Sequence, residues 1–357
     1  MGGTEKQSVW LAEALRQRGW ECQLRLLRQK PVEPRGRKPL IGASEYLSMF
    51  GSVMGLFGEL RESPPDVMVC MGRVANSLGF LAKLVLPELK MVTTCRTNRV
   101  LPFFYRYSLR RSELCIANSE WAAREVAQAA GVPHSRIIHI ENALLRADLL
   151  DLAVSAAAKA AARRELGLAV DVPVLCNISS FVPGKNKEDL LRAFARCKIS
   201  PDAILLLVGD GDAREGCEAL ACELGVSSRV YFLGNTDAIA RILQASDLFV
   251  STSLRDSLPN ALIEAQAAGL PVVAYDVAGA SETFESGQSG LAVNAGEVGA
   301  FAQAIERLIL SPELRRGWGE SARIRACEQY APGVIAARYD SVLGRLLGIP
   351  KSDAPTS

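Results

Sequence analysis

Short apolar runs alternate with amphipathic helical patterns along almost the whole chain, and no other feature of the sequence restricts the fold as strongly. Val67-Met-Val-Cys-Met71 and Leu205-Leu-Leu-Val208 are runs of this kind. A strand that is covered on both faces is apolar throughout, and strands that alternate with helices pair in parallel. The sequence therefore predicts an α/β fold of parallel sheets covered by helices.

The alternation falls into two series, and 357 residues exceed the length that one core usually supports. In the first series a helix over Lys6 to Arg18 precedes five predicted strands, namely Cys22 to Leu27, Val67 to Met71, Lys90 to Thr94, Leu114 to Ala117 and Arg136 to Ile140. The second series contains Val174 to Ser179, Ala203 to Val208, Arg229 to Phe232, Leu248 to Ser251 and Pro271 to Tyr275. Each series predicts a Rossmann-like doubly wound domain, with ligands at the carboxyl ends of the strands in the cleft between the two.

A linker is predicted between the two series. The segment from Ala143 to Val172 contains an alanine-rich helical stretch and then Gly167. We expect a first domain over residues 1–150, a second over 151–337 and a C-terminal segment over 338–357. The chain begins with Met-Gly-Gly-Thr-Glu, a glycine loop that should follow a buried strand. We therefore expect the first strand of the first domain to be missing.

Cysteine usage and spacing indicate free thiols. The nine cysteines lie mostly in apolar runs, without the close pairs of zinc sites or redox motifs, which predicts buried thiols in a reducing cytosol. Asp210-Gly-Asp212 has a spacing that can hold a divalent metal, but directly after an apolar run a turn is the simpler interpretation. We expect no metal and no cofactor.

No signal peptide opens the chain, and no apolar stretch reaches about 18 residues, so we expect a cytoplasmic protein without a membrane span. Peripheral contact with the inner face of the membrane is a further expectation. Tyr46 to Leu60 and Val100 to Leu109 are apolar, aromatic and flanked by arginine, as in segments that dock on lipid headgroups. Buried helix faces explain the same two segments equally well.

The stretch Ser253-Leu-Arg-Asp-Ser-Leu-Pro-Asn-Ala-Leu-Ile-Glu264 predicts a loop that leads into a helix. Pro259 fits the first helical turn, where its missing N–H costs nothing. The backbone donors of Ser257, Leu258 and Asn260, with Pro259 among them, would then surround a helix N-terminus, which suits a pyrophosphate. Glu264 is a carboxylate on an otherwise apolar helix, and a ribose diol would satisfy it.

Asp256 and Glu264, followed by Gly279-Ala-Ser-Glu282, resemble the signature of the retaining glycosyltransferase family 4. Two glutamates separated by seven residues are the hallmark of that family, and Asp256 replaces the first of them. The resemblance implies a GT-B fold in which the first domain binds the acceptor and the second binds a nucleotide-sugar donor. By resemblance, Glu264 would hold the nucleotide ribose and Asp256 would contact the donor sugar, both as catalytic residues.

The run Asn177-Ile-Ser-Ser-Phe-Val-Pro-Gly-Lys-Asn186 resembles the loop in which the family clamps the donor diphosphate with an arginine and a lysine. Lys185 matches the lysine and is the third expected catalytic residue. Ser180 stands where the arginine is usual, so at most a hydroxyl hydrogen bond replaces a charge-assisted contact.

Further matches extend the resemblance over nearly the whole chain. Gly209 and the pair Asn235 and Thr236 match strand ends that border the nucleotide base, and Gly2 and Gly3 match the glycine loop that approaches the donor. Residues 300–347 resemble the closing helices of the family, so the segment 338–357 is expected to be a closing helix and tail. Where many relatives have a histidine, this chain has Cys95 and Arg96, so the donor contact there is lost or remade.

The formal charge is uneven along the chain. Up to Arg136 there are 20 Lys and Arg against 12 Asp and Glu, whereas the remainder has 21 against 27. A basic first portion suits an anionic acceptor, with Arg96 and Arg99 as candidates, or an anionic membrane surface, although a solvated surface is equally consistent. Nucleic acid is disfavoured, because Arg106, Arg110 and Arg111 form only a short cluster without a binding signature.

The sequence thus predicts a metal-independent hexosyltransferase that moves a sugar from a UDP or GDP sugar to a glycan or lipid-linked acceptor, as in cell-surface polysaccharide biosynthesis. Two alternatives remain. An inactive relative that binds nucleotide sugar or a partner enzyme is consistent with Ser180 and Cys95, and would bind nucleotide without turnover. A nucleotide-sugar epimerase of the same architecture would isomerise the donor without an acceptor.

Overall fold

The computed structural model describes residues 3–25, 55–96 and 101–349, and it divides into two compact units. Unit 1 comprises the described residues up to Leu145 together with those from Gly333 onwards. Unit 2 runs from Arg146 to Pro332 without interruption.

The described part of unit 1 contains four parallel strands in the order β1-β2-β3-β4. The strands are β1 (Val67–Cys70), β2 (Lys90–Cys95), β3 (Leu114–Ala117) and β4 (Ile137–His139). The helices are α1 (Gly3–Arg16), α2 (55–62), α3 (Arg73–Val85), α4 (Phe103–Arg111) and α5 (Glu120–Ala130). These four strands confirm the predicted ones. The strand predicted near Cys22 is not formed over residues 21–25, and its last two residues lie outside the described part.

Unit 2 contains six parallel strands in the order β10-β9-β8-β5-β6-β7. The strands are β5 (Val174–Ile178), β6 (Ile204–Val208), β7 (Val230–Gly234), β8 (Leu248–Ser251), β9 (Val272–Asp276) and β10 (Gly290–Asn294). The helices are α6 (Ala156–Glu165), α7 (Lys187–Arg196), α8 (Arg214–Glu223), α9 (Ile239–Ala245), α10 (Asn260–Ala267), α11 (Val298–Ile309) and α12 (Pro312–Tyr330). Five of these strands were predicted. The chain adds β6 and β7 on one side of β5 and β8 to β10 on the other, so the topological switch point lies at β5.

The last helix, α13 (Pro332–Leu347), packs in unit 1 although it follows unit 2 in the chain. Its buried side chains, among them Ile335 and Tyr339, share one core with Leu11 of α1 and Val92 of β2. The Nε1 of Trp20 also donates a hydrogen bond of 2.7 Å to Asp340. The predicted closing helix therefore completes the core of the first unit.

All nine cysteines are free thiols. Five are buried, and burial raises the pKa of Cys70 to about 12. Cys222 is exposed. None of the described helices has both the length and the apolar composition needed to cross a membrane.

Asp247, at the start of β8, holds a buried ionic network that ties α6 to the sheet of unit 2. Its carboxylate contacts Lys159 Nζ at 2.8 Å and Arg163 Nη2 at 2.6 Å, and it accepts a 2.9 Å hydrogen bond from Val174 N. Burial opposes ionisation, but the two cations and the backbone donor lower the pKa of Asp247 overall. The network therefore stabilises unit 2 at neutral pH.

Replacing Asp247 by asparagine is expected to destabilise unit 2 by about 3 kcal/mol, because two cations would be left without their carboxylate. Because the pKa is lowered in the folded state, the contribution is complete above the ordinary carboxyl range and is lost as the pH falls below it. Thermal unfolding followed by circular dichroism at pH 7 and in mild acid measures both effects. An Asp202→Asn variant, altered in an exposed turn, is the control.

Candidate functional site

Three loops of unit 2 meet at the carboxyl ends of β5, β6 and β8. We call them the β5 loop (179–186), the β6 loop (209–213) and the β8 loop (252–259). Phe181 N donates to Asp210 O at 2.9 Å, which joins the β5 and β6 loops. Leu254 N donates to Gly184 O at 2.9 Å, which joins the β8 and β5 loops. The joined loops lie at the topological switch point, where doubly wound sheets bind their ligands.

Gly209 and Gly211 allow the β5 and β6 loops to pack backbone against backbone. Gly209 has a φ of +124°, and a Cβ there would lie 2.1 Å from the carbonyl oxygen of Ser179. At Gly211 a Cβ would lie 2.3 Å from the oxygen of Phe181. Both distances are far below contact, so only glycine fits. Gly209, predicted to border the nucleotide, therefore sets the position of the β5 loop.

Lys185 and Asp256, which the sequence predicted as catalytic residues, form an ion pair between the β5 and β8 loops. The Nζ of Lys185 lies 2.7 and 2.8 Å from the two carboxylate oxygens of Asp256. The Lys185 side chain is 23% exposed and that of Asp256 18% exposed, so both are accessible to a ligand. An anion that binds Lys185 therefore has to compete with Asp256 for the ammonium group.

Helix α7 begins directly after the β5 loop with a buried lysine that sequence reasoning missed. Lys187 is 2% exposed, and its Nζ donates to Asn177 Oδ1 at 2.5 Å and to Ser179 Oγ at 2.7 Å. The ammonium group lies 4.4 Å from the ring centre of Phe181. Burial lowers the pKa of Lys187 to about 7. The only sequence signal was a second lysine two positions after Lys185.

Helix α10 begins directly after the β8 loop, at Asn260, with Pro259 in the preceding cap position. Ser257 and Leu258 are buried, whereas Pro259, Asn260 and Glu264 are half-buried. The backbone oxygen of Asp256 accepts a 3.2 Å hydrogen bond from Gly279 N, which joins the β8 loop to the segment after β9.

The remaining residues predicted for unit 2 lie around the same edge of the sheet. Ser180 is an exposed side chain in the β5 loop. Asn235 and Thr236 follow β7, two strands away from β5, with Asn235 exposed and Thr236 Oγ1 accepting from Ala238 N at 3.1 Å. Asp210 accepts a hydrogen bond from Gly211 N in a turn, as the sequence predicted.

In unit 1 the polar residues follow the carboxyl ends of β2 to β4. Arg96 donates to Asn142 Oδ1 at 2.9 Å and to Tyr339 Oη at 2.7 Å, and its Nε is a buried atom without a hydrogen-bond partner in the described part of the chain. Gly3 is the first residue of α1. Gly2 and Arg99, also predicted to bind substrates, lie outside the described residues.

Two parallel-sheet α/β units, the second with a loop site at its switch point, are the architecture of the GT-B glycosyltransferases. A solved structure with that fold matches this chain. The crystal structure of HepE from Anabaena in complex with UDP superposes with a TM-score of 0.73 at 24% identity, covering 84% of each chain. The fold is therefore that of the GT-B class.

The chain belongs to glycosyltransferase family 4, within the group 1 glycosyl transferases. The model of "Glycosyltransferase Family 4" matches residues 1–144, and that of "Glycosyl transferases group 1" matches residues 158–325. The two matches fall in units 1 and 2, respectively, and include every predicted site residue. The predicted family and fold are thus confirmed.

Curated relatives carry the same class of activity in their names. The lipopolysaccharide core biosynthesis glycosyltransferase LpsE of Rhizobium meliloti is 29% identical over 353 residues, which is 96% of each chain. N-acetyl-alpha-D-glucosaminyl L-malate synthase of Bacillus anthracis is 33% identical over 180 residues. That match spans only 50% of this chain and 47% of the relative. The chain is therefore a glycosyltransferase that resembles enzymes of glycoconjugate biosynthesis.

Proposed function

We propose that the protein transfers a hexosyl group from a nucleotide-sugar donor to a glycan or lipid-linked acceptor in cell-surface polysaccharide biosynthesis, with retention of anomeric configuration. The observation that carries the proposal is the Lys185–Asp256 pair at the switch point of unit 2, immediately before α10. The relative LpsE, named for lipopolysaccharide core biosynthesis, supports the pathway. HepE, solved in complex with UDP, supports a nucleotide donor.

Each part of the donor has a proposed contact in unit 2. Lys185 and the backbone donors of Ser257, Leu258 and Asn260 bind the diphosphate, as at other helix N-termini that hold phosphate. Glu264 accepts hydrogen bonds from the ribose hydroxyls, and Asp256 accepts hydrogen bonds from hydroxyls of the donor sugar. Gly209, Asn235 and Thr236 border the base. Glu264 is half-buried on α10, so its carboxylate is accessible to a ribose diol.

Donor binding exchanges the partner of Lys185. The diphosphate takes the ammonium from Asp256, which frees that carboxylate for the sugar hydroxyls. In the transfer step the bond between the anomeric carbon and the diphosphate oxygen breaks, and a bond to the acceptor hydroxyl oxygen forms on the same face. The departing diphosphate oxygen takes the acceptor proton. Lys185 stabilises the charge that develops on the diphosphate, and such electrostatic stabilisation is usually the largest catalytic contribution.

We propose that unit 1 binds an acceptor with an anionic group. Arg96 contacts only the neutral oxygens of Asn142 and Tyr339 among the hydrogen-bond partners described for it. A partly buried guanidinium of this kind favours an anionic partner. The relative from Bacillus anthracis is named for L-malate, an anionic acceptor, which supports the same chemistry.

Peripheral contact with an anionic membrane surface is proposed for α4. Phe103 and Phe104 are 66% and 54% exposed, and Phe104 stacks on Phe80 of α3 with ring centres 5.3 Å apart. Arg111 lies over the neighbouring Tyr107 ring at 5.3 Å, and α4 contains no acidic residue.

Co-sedimentation with phosphatidylglycerol vesicles tests the proposed contact of α4 with a membrane. A Phe103→Ser, Phe104→Ser variant should bind fewer vesicles than a Leu310→Ser control, and equal binding would contradict the proposal.

The transferase reaction is tested with a panel of UDP and GDP sugars, measuring thermal shift and nucleotide release on adding acceptor extract. Glu264→Gln is expected to weaken donor binding about tenfold, because it removes the charge from a hydrogen bond to ribose. A Glu313→Gln variant, altered on the exposed surface of α12, should behave as the unmodified protein. The absence of a thermal shift with every donor of the panel would contradict the proposal. Binding without release with any acceptor would favour the inactive relative.

A further inference from the structure

Lys187 is a buried cation held only by neutral oxygens. Its two hydrogen-bond acceptors are the amide oxygen of Asn177 and the hydroxyl of Ser179, with the Phe181 ring against its ammonium group. No ion pair joins it to a carboxylate among the described residues. The titratable groups that face it are Lys185, Glu188 and the thiol of Cys217 on α8. Lysine is rarely buried without a counter-charge, because desolvation of an ammonium group is costly.

Lys187 lies next to the proposed diphosphate site. Its Nζ contacts Ser179, the residue before Ser180, and it lies two positions from Lys185. Ser180 carries no charge, and the charge of Lys185 is compensated by Asp256. Lys187, at the start of α7, is therefore a cation next to the β5 loop for which the described residues of the free protein provide no ionic partner.

We propose that Lys187 supplies the second positive charge for a nucleoside-diphosphate group through its hydrogen bond to Ser179 in the β5 loop. Donor binding is then coupled to proton uptake at Lys187. The inference rests on the proposed donor site. Because its side chain is almost fully buried, Lys187 is a positioning residue that orients the β5 loop and sets its charge. The proton comes from solvent and stays on Nζ while the donor is bound.

The direction of the pH dependence follows from the charge of the two states. In the free protein burial lowers the pKa of Lys187 to about 7, so most of the amine is neutral at about pH 8. Two phosphate charges nearby favour the ammonium form and raise this pKa in the complex. Donor affinity is therefore expected to fall as the pH rises through 7, by up to about tenfold if the pKa rises by one unit on binding.

Isothermal titration calorimetry with UDP-glucose at about pH 8, in buffers of different ionisation enthalpy, measures the number of protons taken up when the donor binds. Each phosphate of UDP-glucose has one ester bond and one anhydride bond, so neither has a proton that titrates in this range and the uptake reports on the protein. If the pKa of Lys187 rises by one unit on binding, we expect uptake of about 0.4 proton per donor bound at pH 8, and more for a larger rise. If the panel selects a guanine nucleotide, GDP-mannose replaces UDP-glucose. Donor binding without proton uptake and with pH-independent affinity would overturn the inference alone, whereas no binding of any nucleotide sugar would overturn the proposed function.

Variants separate a charge effect from a structural one. Lys187→Met should lose about tenfold in affinity near pH 6.5 and lose the proton uptake. Lys187→Arg should keep the affinity without pH dependence, since guanidinium does not deprotonate. Adding Ser180→Arg to Lys187→Met should restore the affinity, which a purely structural role of Lys187 would not allow. Lys198→Met, altered at an exposed residue of unit 2, is the matched control.

Discussion

Replacing Gly209 by alanine is expected to destabilise unit 2 by about 3–5 kcal/mol and to abolish donor binding. The added Cβ would lie 2.1 Å from the backbone oxygen of Ser179, and the φ of +124° is one that alanine rarely adopts. The β5 loop would have to move away, and Lys185 would move with it. Thermal unfolding and nucleotide thermal shift measure the two effects.

Gly216→Ala is the matched control for this substitution. Gly216 lies in α8 of the same unit, is exposed, and has no atom within 4 Å of its ideal Cβ position. Alanine there should be neutral or slightly stabilising, because it favours the helix. If Gly209→Ala unfolded at the same temperature as Gly216→Ala, the close packing of the β5 and β6 loops would be refuted.

Replacing Lys185 by methionine is expected to lower kcat/KM for sugar transfer by about 10²- to 10³-fold, the effect of removing one electrostatic donor from a developing negative charge. The variant also leaves Asp256 without its ionic partner, which adds repulsion toward the diphosphate. Initial rates of nucleotide release, measured with the donor that the panel identifies, give the ratio.

The Lys185–Asp256 ion pair leads to a second expectation, which concerns the affinity for free nucleotide diphosphate. Asp256→Asn should bind free nucleotide diphosphate more tightly than the unmodified protein, because Lys185 no longer has a competing carboxylate. Turnover should nevertheless fall, since the proposed contact to the donor sugar weakens. Independent, additive effects of the two substitutions would contradict the exchange of partners, because residues in contact are expected to be coupled.

Secondary structure was predicted most accurately where an apolar run was long enough to be buried on both faces. Leu114–Ala117 and Leu248–Ser251 have the predicted bounds. Strand β10 was missed, because its five residues begin with glycine, end with asparagine and lie at the edge of the sheet. Edge strands pair on one side only and need no long apolar run.

The site was only partly predictable. The motif around Glu264 and the lysine at position 185 indicated the loops that are proposed to bind the donor. The ion pair between Lys185 and Asp256 was not foreseen, because 71 residues separate the two in the chain and no local pattern reports such a contact. Lys187 was missed for a related reason. A charged residue two positions from a predicted site residue is usually solvated, and the burial of Lys187 depends on tertiary contacts such as that with the Phe181 ring.

The sequence by itself determined the class of fold, the family and the two loops proposed to face the donor, because periodicity of apolar residues and short motifs are local properties of the chain. Only the tertiary structure decided that α13 completes unit 1, that Gly209 brings the β5 and β6 loops into contact, and that Lys187 is a buried cation. These features depend on contacts between segments that are distant in the chain. Such contacts, and not the residue type, decide whether a side chain is buried and whether its charge is compensated.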